Sequence, residues 1–425
     1  MTDGKDYRHS IRFIPERCKG CTHCLRACPT GAIRVKDGTA QIIQEKCIAC
    51  GECLRVCPND AVTTNSDSLA KIEDYDYKIA IPSSPFFGQF REGVKPETLV
   101  QALKEIGFDE VYEEALGGEF LSYAIRKEID NKEVSGPLIS TTCPAIIRLI
   151  QVKYPSLLDN LLPLSPPHEV TAELVLKEKS DMPREKLGLF SIAPCPAQVV
   201  AARSPEGKEN STLDGVISIE EVYNKVMGLL PDLEEKSEFH GTKLGLNWGR
   251  REGEIEAVDA GYRIIAVDGV RTVQRIFKDL EEGRLQEVEY LEARSCAEGC
   301  SGGVLTAEDP PITKYRLQNI DEEDLGPLPY DEEEILALYE ERIFTLDKAI
   351  EPRPTLHLHD NLDQALAIME KADEVMHVLP GLDCAACGYP SCQAFAEDVA
   401  QEKIAITGCP LLEEIPEELE KETKQ

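Results

Sequence analysis

Three cysteines within seven residues, then a fourth four places on with a proline behind it, is a spacing suited to one inorganic centre. The chain has it twice, as Cys18, Cys21, Cys24, Cys28-Pro29 and as Cys47, Cys50, Cys53, Cys57-Pro58. Cysteines so close in sequence are badly placed to bridge one another and well placed to turn their thiolates on a common metal. Zinc ligands usually come in pairs separated by a longer insert, so the triplet with its Cys-Pro favours a 4Fe-4S cubane over a pair of zinc sites. A third group, Cys384, Cys387, Cys392 and Cys409-Pro410, begins in the segment GLDCAACGYPSCQAFAEDVA. There Gly388 and Pro390 supply a tight turn that lets three thiolates meet, and zinc is the competing reading. Four cysteines are scattered: Cys143 in STTCPAI, Cys195 in IAPCPAQ, and Cys296 with Cys300 in LEARSCAEGCSGG. Taken singly, each has the commonest fate of a lone thiol, a buried apolar position.

These groups must be held by separate structural elements. At 425 residues and 42% hydrophobic, the chain can bury several cores, which suggests two to four domains. Residues 1–66 contain the repeated cysteine group, each copy followed by a short alternating stretch, and 67–76 read as a polar linker. From 77 to 305, β-branched runs (YKIAIP, KLGLFSIAP, YRIIAVDG) alternate with amphipathic helical stretches (ETLVQALKEIG, VRTVQRIFKDLEEG), the pattern of an α/β domain. Residues 306–355 read as an acidic linker carrying one helix, near 332–346, whose Ile335, Leu336, Tyr339 and Ile343 suit docking on the preceding domain. Residues 356–412 form a C-terminal module, and 413–425 a solvated acidic tail.

Net charge is -32. Residues 1–66 hold ten Lys/Arg against seven Asp/Glu, so the acidity lies in the rest of the chain. Nucleic-acid binding has no electrostatic support, and no phosphate-binding glycine motif occurs. The mildly basic first module could orient an acidic redox partner, although a charge imbalance more often serves solubility alone. No uncharged apolar run approaches the roughly eighteen residues of a membrane span. Iron-holding thiolates call for a reducing compartment, and no apolar segment precedes the first ligand, so a soluble cytoplasmic protein is the expectation. Of the histidines, His357 and His359 alternate on a strand-like segment and read as exposed rather than metallated, while His168 reads as a core or surface residue rather than a proton shuttle.

The first two cysteine groups match the run of bacterial ferredoxins, in which the fourth cysteine crosses to the other cluster. That resemblance implies one cluster on Cys18, Cys21, Cys24 and Cys57 and a second on Cys47, Cys50, Cys53 and Cys28. The scattered cysteines resemble, in order and separation, the three signature loops of the iron-iron (FeFe) hydrogenases, T-S-C-C-P-x-W, M-P-C-x-x-K-x-x-E and E-x-M-A-C-x-x-G-C-x-x-G. The flanks agree: IAIPSSPFF resembles the family's strand ending in A-P-S, and LSPPHEV its S-P-Q-Q segment. The resemblance covers about 78–305. It implies a cubane on Cys143, Cys195, Cys296 and Cys300, with Cys300 also bridging a two-iron subcluster in the family. The C-terminal group resembles the small four-cysteine 4Fe-4S domain of corrinoid iron–sulfur proteins, which is also appended to sensory hydrogenase homologues. The implied fold is an α/β hydrogenase-like two-lobed domain, preceded by an α+β bacterial-type ferredoxin domain and followed by a small helical 4Fe-4S domain. All sixteen cysteines are then ligands of four 4Fe-4S clusters.

Departures from the family fall around the two-iron position. Thr142 stands where the family has its proton-relay cysteine, and a hydroxyl is far too weak an acid for that task near neutral pH. Gln198 replaces the lysine that bonds a cyanide, and Ala193 and Arg294 replace the two methionines that pack on the irons. Ala201, Pro167 and Ile125 replace a glutamate, a glutamine and an outer-path glutamate, and Glu128 is kept. Thr142, Gln198 and Arg294 thus line the implied site, and no catalytic residue is assigned. Two readings follow. One is a low-turnover or hydrogen-sensing hydrogenase with a complete active cluster. The other, favoured here, is an electron-transferring subunit of a larger hetero-oligomeric oxidoreductase, exchanging electrons with protein partners such as a ferredoxin, a flavoprotein or complex subunits.

Overall fold

A computed structural model describes residues 9–233, 237–353, 358 and 361–412; His357, His359 and the tail lie outside these. The described residues form two compact units, one from those within 9–47, 52–64 and 353–412, the other from those within 48–51 and 65–352.

In the first unit, β1 (Ile11–Phe13) pairs antiparallel with β4 (Val62–Thr64). β2 (Ile33–Lys36) and β3 (Thr39–Ile42) form a hairpin around Asp37-Gly38. Both turn residues have positive φ, 50° and 74°, which the two-residue turn matching strand twist requires. Ile11, Leu25, Ile33, Ala40 and Val62 close a small core with Cys24 and Cys53. The C-terminal module adds two helices, Leu362–Val378 and Cys392–Ala400, capped by the side chains of Asn361 and Ser391. Its core contains Val375, Tyr389, Phe395 and Val399, with the Tyr389 and Phe395 rings edge to face at 5.2 Å.

The two modules of this unit share a built contact. Val35 N donates to Gly388 O at 2.9 Å, and Ala385 is buried in the core that holds Cys24 and Cys53. The Arg34 guanidinium lies 4.7 Å above the Tyr389 ring and 3.6 Å from Asp398. Gly388 has φ +82°, and a Cβ there would stand 2.0 Å from Val35 O. This glycine therefore serves a close backbone approach as well as a turn. Some of the basic charge of the first module faces acidic residues of the last.

The second unit contains two parallel sheets. β5 (Tyr77–Pro82), β6 (Glu110–Val111), β8 (Leu187–Ala193) and β9 (Gly215–Ser218) lie in the order β6-β5-β8-β9. β7 (Leu138–Ile139), β10 (Ile264–Asp268) and β11 (Tyr290–Arg294) lie in the order β10-β11-β7. β8 is buried along its whole length, as a strand covered on both faces must be. Parallel sheets with helices between their strands agree with the expected α/β class.

Residues 306–352 depart from the expected linker. They hold two helices, Pro310–Gln318 and Glu332–Glu340, and pack throughout on the second unit. Leu317, Ile335 and Phe344 are fully buried, and Phe344 meets Phe120 edge-on at 5.8 Å. Asp331 and Glu334 form a capping box that starts the second helix. The acidic residues that suggested a linker are the outer face of packed structure. The helix stops short of 346, and Arg342 at φ +64° turns the chain into a strap whose Leu346 N bonds Pro163 O at 2.9 Å.

Candidate metal centres

The scattered cysteines all leave a sheet at the carboxyl end of a parallel strand, where the crevice of an α/β sheet opens. Cys143 follows β7, Cys195 follows β8, and Cys296 and Cys300 follow β11. Cys143 and Cys195 are the N-caps of the helices Pro144–Lys153 and Pro196–Arg203. Proline at the first helical position loses no hydrogen bond, and the helix N-terminus favours a thiolate.

The four thiols converge. Burial pushes the Cys195 thiol well above its ordinary range, and Cys296, Cys300 and Cys143 raise it further, while the Gln198 backbone N–H lowers it. Cys300 is pushed up to about 12, by burial first and then by Cys143, Glu114 and Glu254, with Arg294 opposing. Crowded buried thiols of this kind ionise together only around cations, so the set can hold a cluster. Among the described residues no three ligand side chains close on a single metal ion. A cubane, with an iron behind each thiolate, spreads its ligands wider than a mononuclear site does.

In the ferredoxin module, Cys24 is pushed up to about 11 by burial and then by its neighbours Cys21, Cys18 and Cys57. Cys53 is raised by burial, then by Cys28 and Cys47. Each fourth cysteine thus lies with the other group's triplet. Cys28 Sγ accepts from Ala32 N at 3.2 Å, and Cys57 Sγ accepts from Ala61 N at 3.3 Å, a repeated contact that matches the repeated sequence. In the C-terminal module burial raises the Cys387 thiol, with Cys409 and Cys384 as further charged neighbours. Asp383 accepts from Cys392 N at 2.7 Å, which fixes the start of the last cysteine-bearing helix. Residues 48–51 belong to the second unit, where Cys50, Cys143 and Cys195 line one apolar group of Ala49, Ala145, Ala197 and Val200.

Beside Cys300 stands Arg294, 1% exposed, its Nη1 3.6 Å from the sulfur. Its Nη2 donates to Glu254 at 2.7 Å and to Trp248 O at 3.0 Å, and its Nε is 3.5 Å from Glu292. Glu254 also accepts from the Tyr290 hydroxyl. Tyr290, Glu292 and Arg294 alternate along β11, so one face of that strand is polar and buried. Thr142 is buried, its N–H donating to Ser140 Oγ at 3.2 Å, and Gln198 is buried with no hydrogen-bond partner for Oε1 among the described residues. His168 is buried, with Nδ1 3.4 Å from Glu114, whose other oxygen accepts from Ser84 N at 3.1 Å. Ile125 sits in an apolar core, and Glu128 accepts from the Tyr339 hydroxyl at 2.6 Å. Glu254, Glu292, Trp248 and Glu114 were not singled out from sequence. The one available signal was the alternation of Tyr290, Glu292 and Arg294 in YLEAR.

Comparison with known proteins agrees with this geometry. The family described as iron only hydrogenase large subunit, C-terminal domain, matches residues 78–240; a 4Fe-4S dicluster domain matches 10–58, and an Fe-S cluster family matches 379–411. The NADP-reducing hydrogenase subunit HndD of Solidesulfovibrio fructosivorans is 24% identical over 214 residues, 46% of this chain and 33% of its own length. Iron hydrogenase 1 of Clostridium pasteurianum is 21% identical over 273 residues, 52% of this chain and 46% of its own. The matched part therefore spans a third to under half of these relatives. A solved variant of the FeFe hydrogenase HydA1 from Chlamydomonas reinhardtii aligns with a TM-score of 0.53 at 16% identity, covering 67% of this chain and 98% of the other, which shows the shared fold. The class is that of iron–sulfur proteins of hydrogenase-like fold. Within it, the chain is a divergent FeFe-hydrogenase-like protein.

Among the described residues no helix is long and apolar enough to cross a membrane.

Proposed function

We propose that the chain relays electrons among four 4Fe-4S clusters, with a bare cubane at the hydrogenase-like position, as the redox subunit of a larger complex. The ligand sets are Cys18, Cys21, Cys24, Cys57; Cys28, Cys47, Cys50, Cys53; Cys143, Cys195, Cys296, Cys300; and Cys384, Cys387, Cys392, Cys409. Each quartet supplies four thiolates, the donor chemistry of a cubane. Such clusters, when bound, pass one electron at a time.

One observation carries the choice of a bare cubane. Arg294 lies against the Cys300 sulfur and is ion-paired with Glu254 in a buried site. A guanidinium held by two carboxylates beside the Cys300 sulfur is already neutralised, so it is poorly placed to serve an anionic ligand of a larger cofactor as the family's lysine does, and this supports the bare cubane. Thr142 and Gln198 agree, since neither offers the acid or the cation that the family places there. The likeness to HndD, a hydrogenase subunit, supports assembly into a complex.

Infrared spectroscopy of the protein, produced together with the hydrogenase maturation enzymes, tests this reading. The expected result is no band from metal-bound carbonyl or cyanide, with iron at about sixteen per chain. Such bands would overturn the bare-cubane assignment in favour of a low-turnover or sensing hydrogenase.

A further inference from the structure

Among the described residues nine large apolar side chains are exposed, and five of them, Leu362, Leu366, Met369, Leu382 and Leu411, belong to the C-terminal module. That module, residues 361–412, is about an eighth of the sequence, so the apolar exposure is concentrated and not scattered. Leu382 is 66% exposed and precedes Cys384 by two residues; Leu411 is 44% exposed and follows Cys409 by two. Cys384 is the one exposed thiol of the sixteen, the others being buried or half-buried. A cluster on this quartet has one corner at the surface, flanked by leucines.

Charge bears on what covers it. Residues 361–412 hold eight Asp/Glu and two Lys. The module already contacts the ferredoxin module through Ala385, Gly388 and Asp398, while Leu382, Cys384 and Leu411 stay exposed. An apolar rim in acidic surroundings, at the exposed corner of a redox centre, is complementary to an apolar patch in basic surroundings. A small contact with an apolar centre suits a partner that must leave after each electron, and the charges steer its approach.

We propose that the rim around Cys384 is an electron port of the chain, and that it docks a one-electron carrier protein whose redox centre is ringed by basic residues. The proposal rests on the electron-relay reading above. One electron leaves the C-terminal cluster, which is oxidised, and enters the carrier, which is reduced; no proton or atom moves with it.

Full-length protein with reconstituted clusters, reduced with dithionite and freed of excess, is mixed in stopped flow with one of two acceptors. Cytochrome c is a small carrier with a basic rim, and dichlorophenolindophenol is a small molecule that needs no docking surface. The rate with cytochrome c should fall about tenfold or more between ~20 mM and ~500 mM salt, because exposed charges are screened. Leu382→Lys/Leu411→Lys should lower it about tenfold, and the uncharged Leu382→Ala about threefold, at unchanged iron content and with the dye rate within about twofold of wild type. Leu244→Lys, at an exposed leucine of the other unit, serves as control. A cytochrome c rate that the Leu382 and Leu411 variants leave unchanged overturns the port, whatever its salt dependence, because the net charge of -32 alone makes the rate fall with salt. Failure of wild-type protein to reduce either acceptor overturns the electron-relay reading itself.

Discussion

Arg294 places a buried cation beside one of four converging cysteines. The guanidinium is buried with two carboxylates, Glu254 and Glu292, and so cannot be removed without leaving negative charge stranded in a dry interior. Arg294→Met, which restores the family's residue, should lower unfolding stability by about 3–5 kcal/mol. Arg294→Met/Glu254→Gln should recover most of that loss. Anaerobic urea denaturation of the two variants checks it, and equal stability of the single variant and wild type would remove the ion pair from the account. A second buried carboxyl gives a pH signature. Burial pushes Glu113 up to about 7 from an ordinary 4.5. The folded chain keeps this proton where the unfolded chain has lost it, so its stabilisation is complete below the unfolded value and is lost as pH rises through about 7. Glu113→Gln should therefore gain up to about 3 kcal/mol on wild type between pH 5 and pH 8 in denaturation curves, and a parallel pair of curves would contradict it. Three of the cysteine groups stood out in the sequence because their spacing is local, whereas Cys143 and Cys195 stood alone and were read only through the segments around them. Glu254 was not legible there, because only the fold brings it to Arg294, forty residues further along.

At the scale of elements, the sequence misled where two signals competed. Residues 306–352 are rich in Asp and Glu, and although the helix near 332–346 was read as docking on the preceding domain, that composition hid the helix Pro310–Gln318 and the buried Phe344. In the fold the balance reverses, because Leu317, Ile335 and Phe344 are each fully buried while the acids cost nothing in water. Ile335→Ala should cost about 2–4 kcal/mol through the cavity it leaves, whereas Glu333→Ala, on the exposed face, should stay within about 0.5 kcal/mol. Thermal unfolding of both variants distinguishes a packed element from a linker, since a linker would show no difference between them. Strand and helix alternation between 77 and 305 was readable because each element carries its own period. The proline after Cys143 and after Cys195 was equally informative, marking helix starts at the two ligands.

At the scale of the molecule, the association of the first and last modules was invisible in the sequence. It depends on Val35 meeting Gly388 and on Ala385 entering a core made by residues more than three hundred positions earlier, and neither pairing has a local signature. Gly388→Ala should separate them, since its Cβ has no room against Val35 O and its φ is costly for a side chain. Limited proteolysis should then release a fragment carrying Cys384 to Cys409 faster than in wild type; an unchanged digestion pattern would mean the contact is dispensable.

Ala385 also bears on the order in which the molecule is made. The ferredoxin strands are synthesised before it, yet their core takes in this residue from more than three hundred positions further along. That core is therefore incomplete until the whole of the central unit has been translated, so the module that comes earlier in sequence is closed after the one that follows it.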